Sequence, residues 1–77
     1  MNFCKGQKIK VVETDNVKYD KQLDEAAINI IDKSGYQGAI TKIIQEEGEK
    51  DLFFVSFYFN NERVTQGFRE NEIEGVE

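Results

Sequence analysis

The sequence predicts a mainly β domain of about five strands with one short helical insert. Residues 35–59 are typical of a β-hairpin: two glycines open the first strand, a polar turn follows, and the second strand is rich in phenylalanine. Residues 6–14 alternate between polar and apolar side chains, as a half-buried strand does. Between these segments, residues 15–34 carry apolar side chains at helical spacing, which places the insert in the first long loop.

The chain length predicts one small domain over residues 1–77, with residues 15–34 as an insert within it. A chain of 77 residues buries only roughly 60% of its unfolded surface, so a compact core or a partner must stabilise it. The single cysteine, Cys4, excludes an internal disulfide and favours a cytoplasmic location. We find no apolar run of about 18 residues and no basic-then-apolar leader, so we expect neither a membrane span nor a secretory signal.

Charge is unevenly distributed along the chain, whose formal net charge is −5. Residues 1–43 carry seven basic and six acidic side chains, whereas residues 44–77 carry three basic and nine acidic ones. An acidic surface discourages binding to phosphate backbones, because that affinity comes largely from Lys and Arg. It is compatible with a basic protein partner.

The first strand is predicted over residues 6–14. Ile9 and Val11 alternate with lysines, so we expect both to face the core. Val12 then lies on the outer side of the sheet or near a bulge.

The insert has two possible structures. Its apolar residues follow the pattern of an amphipathic helix, with Asp20 as the N-cap, Lys33 in the last turn and Gly35 just after the end. A long hairpin loop is the alternative, since several residues between 26 and 32 tolerate strand geometry. The apolar residues in question are Leu23, Ala26, Ala27, Ile30 and Ile31.

The hairpin at 35–59 is expected to contain a bulge near Lys42, because the isoleucines of its first strand do not alternate cleanly. Its polar turn at 46–51 includes Gly48, which can take a positive φ. The second strand has two apolar faces. One comprises Phe53, Val55, Phe57 and Phe59, and the other comprises Leu52, Phe54 and Tyr58.

The rest of the chain predicts a short turn at 60–62, a strand at 63–68 and an edge strand at 74–77. Between those strands, residues 69–72 are expected to form a single helical turn that places Ile73 under the sheet.

This order of segments resembles small SH3-like barrels, including KOW-type domains and short uncharacterised bacterial and phage proteins of that shape. The resemblance covers about 55 residues and consists of core and turn positions, so it implies a fold rather than an activity. It implies an SH3-like barrel of about five strands, with the helical insert in the first long loop. The matching positions are Gly6, Ile9, Val11, Gly35, Gly38, Ile40, Val55, Phe57, Phe68 and Ile73.

Catalysis is not expected. The chain has no histidine, so the commonest general base and metal ligand is missing, and one cysteine cannot form a zinc site. The carboxylates of the 46–51 turn do not match a calcium-loop spacing, and Gly35 and Gly38 do not form a phosphate-binding loop. We therefore expect no catalytic residue, no metal and no cofactor.

The second apolar face of the 52–59 strand is the strongest candidate for a binding surface. Either the insert covers it as a second small core, or it is exposed and binds a partner. The candidate partner-binding residues are Leu52, Phe54, Tyr58, Leu23, Ile30 and Ile31.

The expected function is therefore a non-catalytic protein–protein interaction module, such as an adaptor, inhibitor or accessory subunit. The alternative is a nucleic-acid-binding regulator, which we consider less favoured, and a third possibility is a homodimeric structural protein. The candidate nucleic-acid-binding residues are Lys5, Lys8, Lys10 and Lys18.

Overall fold

The computed structural model describes residues 3–45, 48 and 50–76. Five strands, two helices and one 3₁₀ turn make up the described fold. In chain order these are β1 (Lys8–Val11), α1 (Asp15–Lys18), α2 (Glu25–Lys33), β2 (Gln37–Ile44), β3 (Leu52–Phe59), β4 (Glu62–Arg69), the 3₁₀ turn (Glu70–Glu72) and β5 (Ile73–Gly75).

The five strands form one antiparallel sheet in the order β4-β3-β2-β1-β5. This confirms the prediction of a mainly β domain with about five strands. The sheet is open, with β4 and β5 as its two edges, so a closed barrel is not confirmed. After β4 the 3₁₀ turn redirects the chain, and β5 pairs with β1 through Val11 and Ile73 instead of closing onto β4.

A bulge in β2 sets which side chains of the hairpin face inward. Ile40 pairs with Val55, the register then shifts, and Lys42 pairs with Phe54. This irregularity lies where the sequence predicted a bulge, and it lets Ile40 and Ile43 point to the same side although their positions differ by three.

Ile9, Val11 and the first apolar face of β3 form the core together with residues of the insert and the chain end. The buried apolar residues are Ile9, Val11, Val17, Ile31, Ile40, Phe53, Val55, Phe57, Phe68 and Ile73. Phe59, predicted on the same face, is 41% exposed because it lies at the end of β3 beyond the packed region.

The insert forms a helix rather than a hairpin loop, but its N-cap is Asp24, not Asp20. The Asp24 carboxylate accepts a hydrogen bond from the Ala27 amide at 2.8 Å, which satisfies a free N–H of the first turn. Asp20 instead accepts from the Gln22 amide at 2.8 Å and from the Gln66 side chain at 3.1 Å. One oxygen of Asp20 therefore bonds within the insert, and the other binds the insert to β4.

The helix ends as predicted, with Gly35 in the left-handed conformation after Lys33. The Gly35 amide donates to the carbonyl of Asp32 at 3.0 Å and the Tyr36 amide to that of Ile31 at 3.1 Å. These two bonds make a Schellman motif, which satisfies the last carbonyls of the helix.

Helix α2 packs against β3 and β4 on the core side of the sheet. Ile31 has no exposed surface and belongs to the same cluster as Phe53 and Phe57. The insert therefore covers the first apolar face of β3, and the interpretation that it covers Leu52, Phe54 and Tyr58 is wrong.

The turns lie where the sequence predicted them, although the strands that follow begin at slightly different residues. Asn60 and Asn61 both have positive φ, and Phe59 pairs with Glu62, so β4 begins at residue 62 rather than 63. Gly48 also has a positive φ. Strand β5 begins at Ile73, one residue before the predicted start, and residue 77 lies outside the described residues.

Candidate binding surface

The outer face, defined as the side of the sheet opposite α2, carries the second apolar set of β3. Leu52 and Phe54 are half-buried there, and Tyr58 is 59% exposed. No helix among the described residues packs on this side. The strand therefore presents three large side chains to solvent on a rigid support.

Leu52 and Phe54 owe their partial burial to a glycine in the neighbouring strand. A Cβ added to Gly67 would lie 3.3 Å from Cδ1 of Leu52 and 3.4 Å from Cε1 of Phe54. Both side chains therefore lean over Gly67 and occupy the space that a larger residue would fill.

Between the two aromatic residues the outer face is lined by small side chains. Ser56 is buried at 1% exposure, and its hydroxyl lies 2.8 Å from that of Thr65. Its neighbour on the other side is Ala39, which pairs with both Ser56 and Lys8. Ser56 therefore contributes almost no surface of its own, although it lies between Phe54 and Tyr58 on the same face of β3.

Each apolar residue of this row has a cation directly opposite on a neighbouring strand. Arg69 pairs with Leu52, Lys42 with Phe54, and Arg63 with Tyr58. Directly opposed residues of an antiparallel pair have Cβ atoms about 5 Å apart. The outer face thus alternates apolar and positively charged groups at close range.

Two of the four predicted nucleic-acid-binding lysines lie on the same face. Lys8 and Lys10 project to the outer side of β1, and Lys10 forms an ion pair of 3.0 Å with Glu74 of β5. Lys18 lies on α1, which packs through Val17 into the core on the opposite side. Lys5 is exposed in the turn before β1. The structure therefore separates the predicted set.

The strands place five basic residues and one acidic residue on the outer face of the described structure. The basic residues are Lys8, Lys10, Lys42, Arg63 and Arg69, and the acidic residue is Glu74. This face is positive on a chain whose net charge is −5. Sequence reasoning missed this segregation, because the charge sum of each half of the chain does not reveal which side of the sheet the charges occupy.

A shallow concavity of about 340 Å³ adjoins Tyr58 at the end of the face. Its lining residues are Lys8, Ser34, Gln37, Gly38, Ala39 and Tyr58. Apolar surface from Ala39 and the tyrosine ring is combined there with polar groups from Ser34 and Gln37. A concavity of this size is large enough for one large side chain of a partner or for a small ligand.

The insert residues in the predicted partner-binding set lie away from this surface. Ile31 is fully buried and is not accessible to a partner in this fold, and Leu23 is half-buried against the core on the side opposite the outer face. Ile30 borders a separate groove of about 230 Å³ between α2 and the end of β3. In that groove the Lys33 ammonium lies 5.9 Å from the centre of the Phe59 ring.

The described residues hold no group of three or more side chains suited to bind a metal ion. Residues 46, 47 and 49 of the predicted acidic turn lie outside the described residues. Cys4 is exposed, and its thiol lies 3.8 Å from the side-chain oxygen of Gln7. Among the residues described, no helix is long and apolar enough to cross a membrane.

Tyr36 is the one side chain with a clearly perturbed ionisation in the described structure. Desolvation raises the pKa of its hydroxyl above the ordinary value, and the negative charges of Asp32 and Asp15 raise it further. The hydroxyl oxygen is shielded from solvent and makes no hydrogen bond of good geometry with the described residues. It lies under the core side of the sheet and takes no part in the outer face.

The chain matches no protein-family model, no curated protein and no solved structure.

Proposed function

We propose that the chain is a non-catalytic interaction module whose partner, a protein, docks on the outer face. The observation that carries the proposal is the position of the insert. Strand β3 has two apolar faces, α2 covers the one with Phe53 and Phe57, and Leu52, Phe54 and Tyr58 remain without a covering element among the described residues. An apolar row on the surface of a small domain is a common feature of interaction sites.

The fold supports this proposal by making the face rigid. The outer residues of β3 are held by pairing with β2 on one side and β4 on the other over most of the strand. A preformed surface loses little side-chain and backbone freedom when a partner binds, which favours affinity.

The charges favour a different protein over a second copy of this chain. A two-fold homodimer through the outer face would bring the same patch of each copy together. The cations of one copy, Lys42 and Arg63 among them, would then face the cations of the other, and like charges at an interface are unfavourable.

A nucleic-acid partner is the second candidate, and one observation favours it. Lys8 and Lys10 share the outer face with Phe54 and Tyr58, so cations and aromatic rings occur on one surface, as they do in single-strand binding sites.

We also propose that the fold is an open relative of the SH3-like barrel. The β4-β3-β2-β1-β5 order and the 3₁₀ turn before β5 support this reading, together with the buried positions of Phe68 and Ile73 on either side of that turn. An experimental structure tests this reading. Pairing of β4 with β5 would show a closed barrel, and a different strand order would contradict the proposed relationship.

The function is tested by capture of partners from a lysate of the cells that make the protein. The wild-type protein is compared with a Phe54→Ala/Tyr58→Ala variant and with Tyr19→Ala, which removes a 77% exposed ring elsewhere on the surface. A partner retained by the wild type and by Tyr19→Ala, and lost by the double variant, supports the proposal. Equal capture by all three proteins contradicts it.

A further inference from the structure

We infer that the partner segment is acidic: the outer face binds an extended peptide that carries carboxylates next to large apolar side chains. This inference rests on the proposed function, because it specifies the chemistry of the protein that docks on the same surface. The net charge of the chain alone favours the opposite, a basic partner.

The local charge of the outer face favours an acidic partner. Lys8, Lys42 and Arg63 project from it and form no ion pair with any described residue. The Lys10–Glu74 pair is already neutral. Because charges further apart than about 10 Å are largely screened at physiological salt, a docked segment experiences these local cations far more than the acidic groups on other sides of the molecule.

Two cations of the outer face also lie directly across from an apolar residue on β3. Lys42 lies across from Phe54 and Arg63 across from Tyr58, on opposite sides of β3. A partner that contacts the rings therefore brings its neighbouring side chains close to an ammonium or a guanidinium group. Carboxylates adjacent to apolar side chains satisfy both groups at once, and Arg63 can bind a carboxylate with two hydrogen bonds.

The shape of the surface suits an extended segment. Ala39 and Tyr58 line the concavity at one end of the face, and Phe54 lies toward the other end. Phe54 and Tyr58 are four residues apart on one strand, which corresponds to about 13 Å. A peptide of a few residues in extended form spans this distance and places one apolar side chain in the concavity.

The surface suits a peptide better than single-stranded nucleic acid. Stacking platforms need exposed aromatic faces, and Phe54 is half-buried where it leans over Gly67. The other neighbour of Gly67 is Leu52, and Ile44 lies opposite Leu52. This end of the face is aliphatic and fits side chains rather than bases.

The test uses a random copolymer of glutamate and tyrosine as the acidic peptide, with polyglutamate and polylysine as comparison ligands. A single-stranded oligodeoxythymidylate of about 20 nucleotides represents nucleic acid. Affinities are measured by fluorescence anisotropy for the wild type and two charge-reversal variants. Lys42→Glu/Arg63→Glu changes the outer face, and Lys18→Glu/Lys21→Glu makes the same change of net charge on exposed lysines of the insert.

We expect the copolymer to bind the wild type more tightly than polyglutamate does, and polylysine not to compete for the outer face. The Lys42→Glu/Arg63→Glu variant should lose at least about tenfold in affinity, and the insert variant less than about threefold. An equal loss in both variants overturns the inference, since it indicates a general charge effect. Tighter binding of the oligodeoxythymidylate, with the same dependence on Lys42 and Arg63, also overturns it and favours nucleic acid.

The Phe54→Ala/Tyr58→Ala variant separates the failure of this inference from failure of the proposed function. If it abolishes capture of the cellular partner while charge reversal at Lys42 and Arg63 leaves capture intact, the outer face is the binding site but its partner is not acidic. If neither variant affects capture, both proposals fail.

Discussion

Phe54 on β3 lies directly opposite Gly67 on β4, and a Cβ at position 67 would come within 3.4 Å of Cε1 of the ring. A large side chain thus lies over a glycine of the neighbouring strand instead of standing away from the sheet. This arrangement shields part of an apolar residue on a face that no helix among the described residues covers. The partial burial of Phe54 reduces the apolar area that the outer face exposes to water. The exposed remainder is still apolar surface that a partner can contact.

Two glycines of the sheet, Gly38 and Gly67, are expected to respond differently to replacement by alanine. A Cβ at Gly38 would collide with the backbone carbonyl of Ser56 and lie 2.8 Å from Cγ1 of Val55, so Gly38→Ala should lower the free energy of unfolding by more than about 2 kcal/mol. Gly67→Ala should change it by less than about 1 kcal/mol, because the neighbouring side chains border solvent and can rotate away. Urea denaturation of both variants measures the difference, and equal destabilisation would show that the close approach at Gly38 is not as described.

The packing of α2 predicts a contrast between two of its isoleucines, Ile30 and Ile31. Ile31 is fully buried, so Ile31→Ala should cost about 2–5 kcal/mol. Ile30 is half-buried at the edge of the groove, and Ile30→Ala should cost about 1 kcal/mol. The midpoints of chemical denaturation give both values, and a larger loss for Ile30 would mean that the helix is rotated about its axis.

The separate roles of the two aspartates can be tested by double-mutant cycles. Asp20 and Gln66 hydrogen-bond at 3.1 Å, so the effects of Asp20→Ala and Gln66→Ala should couple by about 0.5–1 kcal/mol. Asp24→Ala should cost about 1 kcal/mol through the loss of the N-cap, and it should not couple with Gln66→Ala. Coupling of Gln66 with Asp24 instead would place the start of the helix elsewhere.

The raised pKa of Tyr36 predicts that the protein loses stability at alkaline pH. Its pKa is raised in the folded state by desolvation and by the charges of Asp32 and Asp15, so folding favours the neutral phenol. That contribution is fully present below the unfolded value of about 10 and is lost as pH rises through the folded value. Tyr36→Phe should therefore resist unfolding above pH 10 better than the wild type does.

At pH 7 the same variant should be at least as stable as the wild type, because the change removes a buried hydroxyl that makes no hydrogen bond of good geometry with the described residues, and any gain should be on the order of 1 kcal/mol. Identical pH profiles for the two proteins would contradict the account of Tyr36.

The sequence was sufficient to predict the features that depend only on residues close together along the chain. Alternation placed Ile9 and Val11 in the core, and the uneven spacing of isoleucines located the β2 bulge. Two features needed the tertiary structure. Both faces of β3 are apolar, so periodicity did not determine which one α2 covers, and Asp20 and Asp24 are equally good capping residues in sequence.

The positive outer face was also beyond sequence reasoning, because it depends on register. Without the bulge in β2, simple alternation from Ile40 would place Lys42 on the core side of the sheet. Arg63 meets Tyr58 only because the turn at Asn60 and Asn61 has two central residues. The charge pattern of the outer face therefore depends on the bulge in β2 and on the length of the turn between β3 and β4.

The central claim is that the outer face is an uncovered binding surface which folding does not require. Thermal unfolding of Phe54→Asp, followed by circular dichroism, tests it most directly, with Val55→Asp as the matched change at a fully buried position of the same strand. We expect Phe54→Asp to unfold cooperatively, with a melting temperature lowered by less than about 15 °C, and Val55→Asp to show no folded state, because it buries an unpaired charge. Loss of the folded state in Phe54→Asp would contradict the claim, since it would mean that the chain itself covers this face.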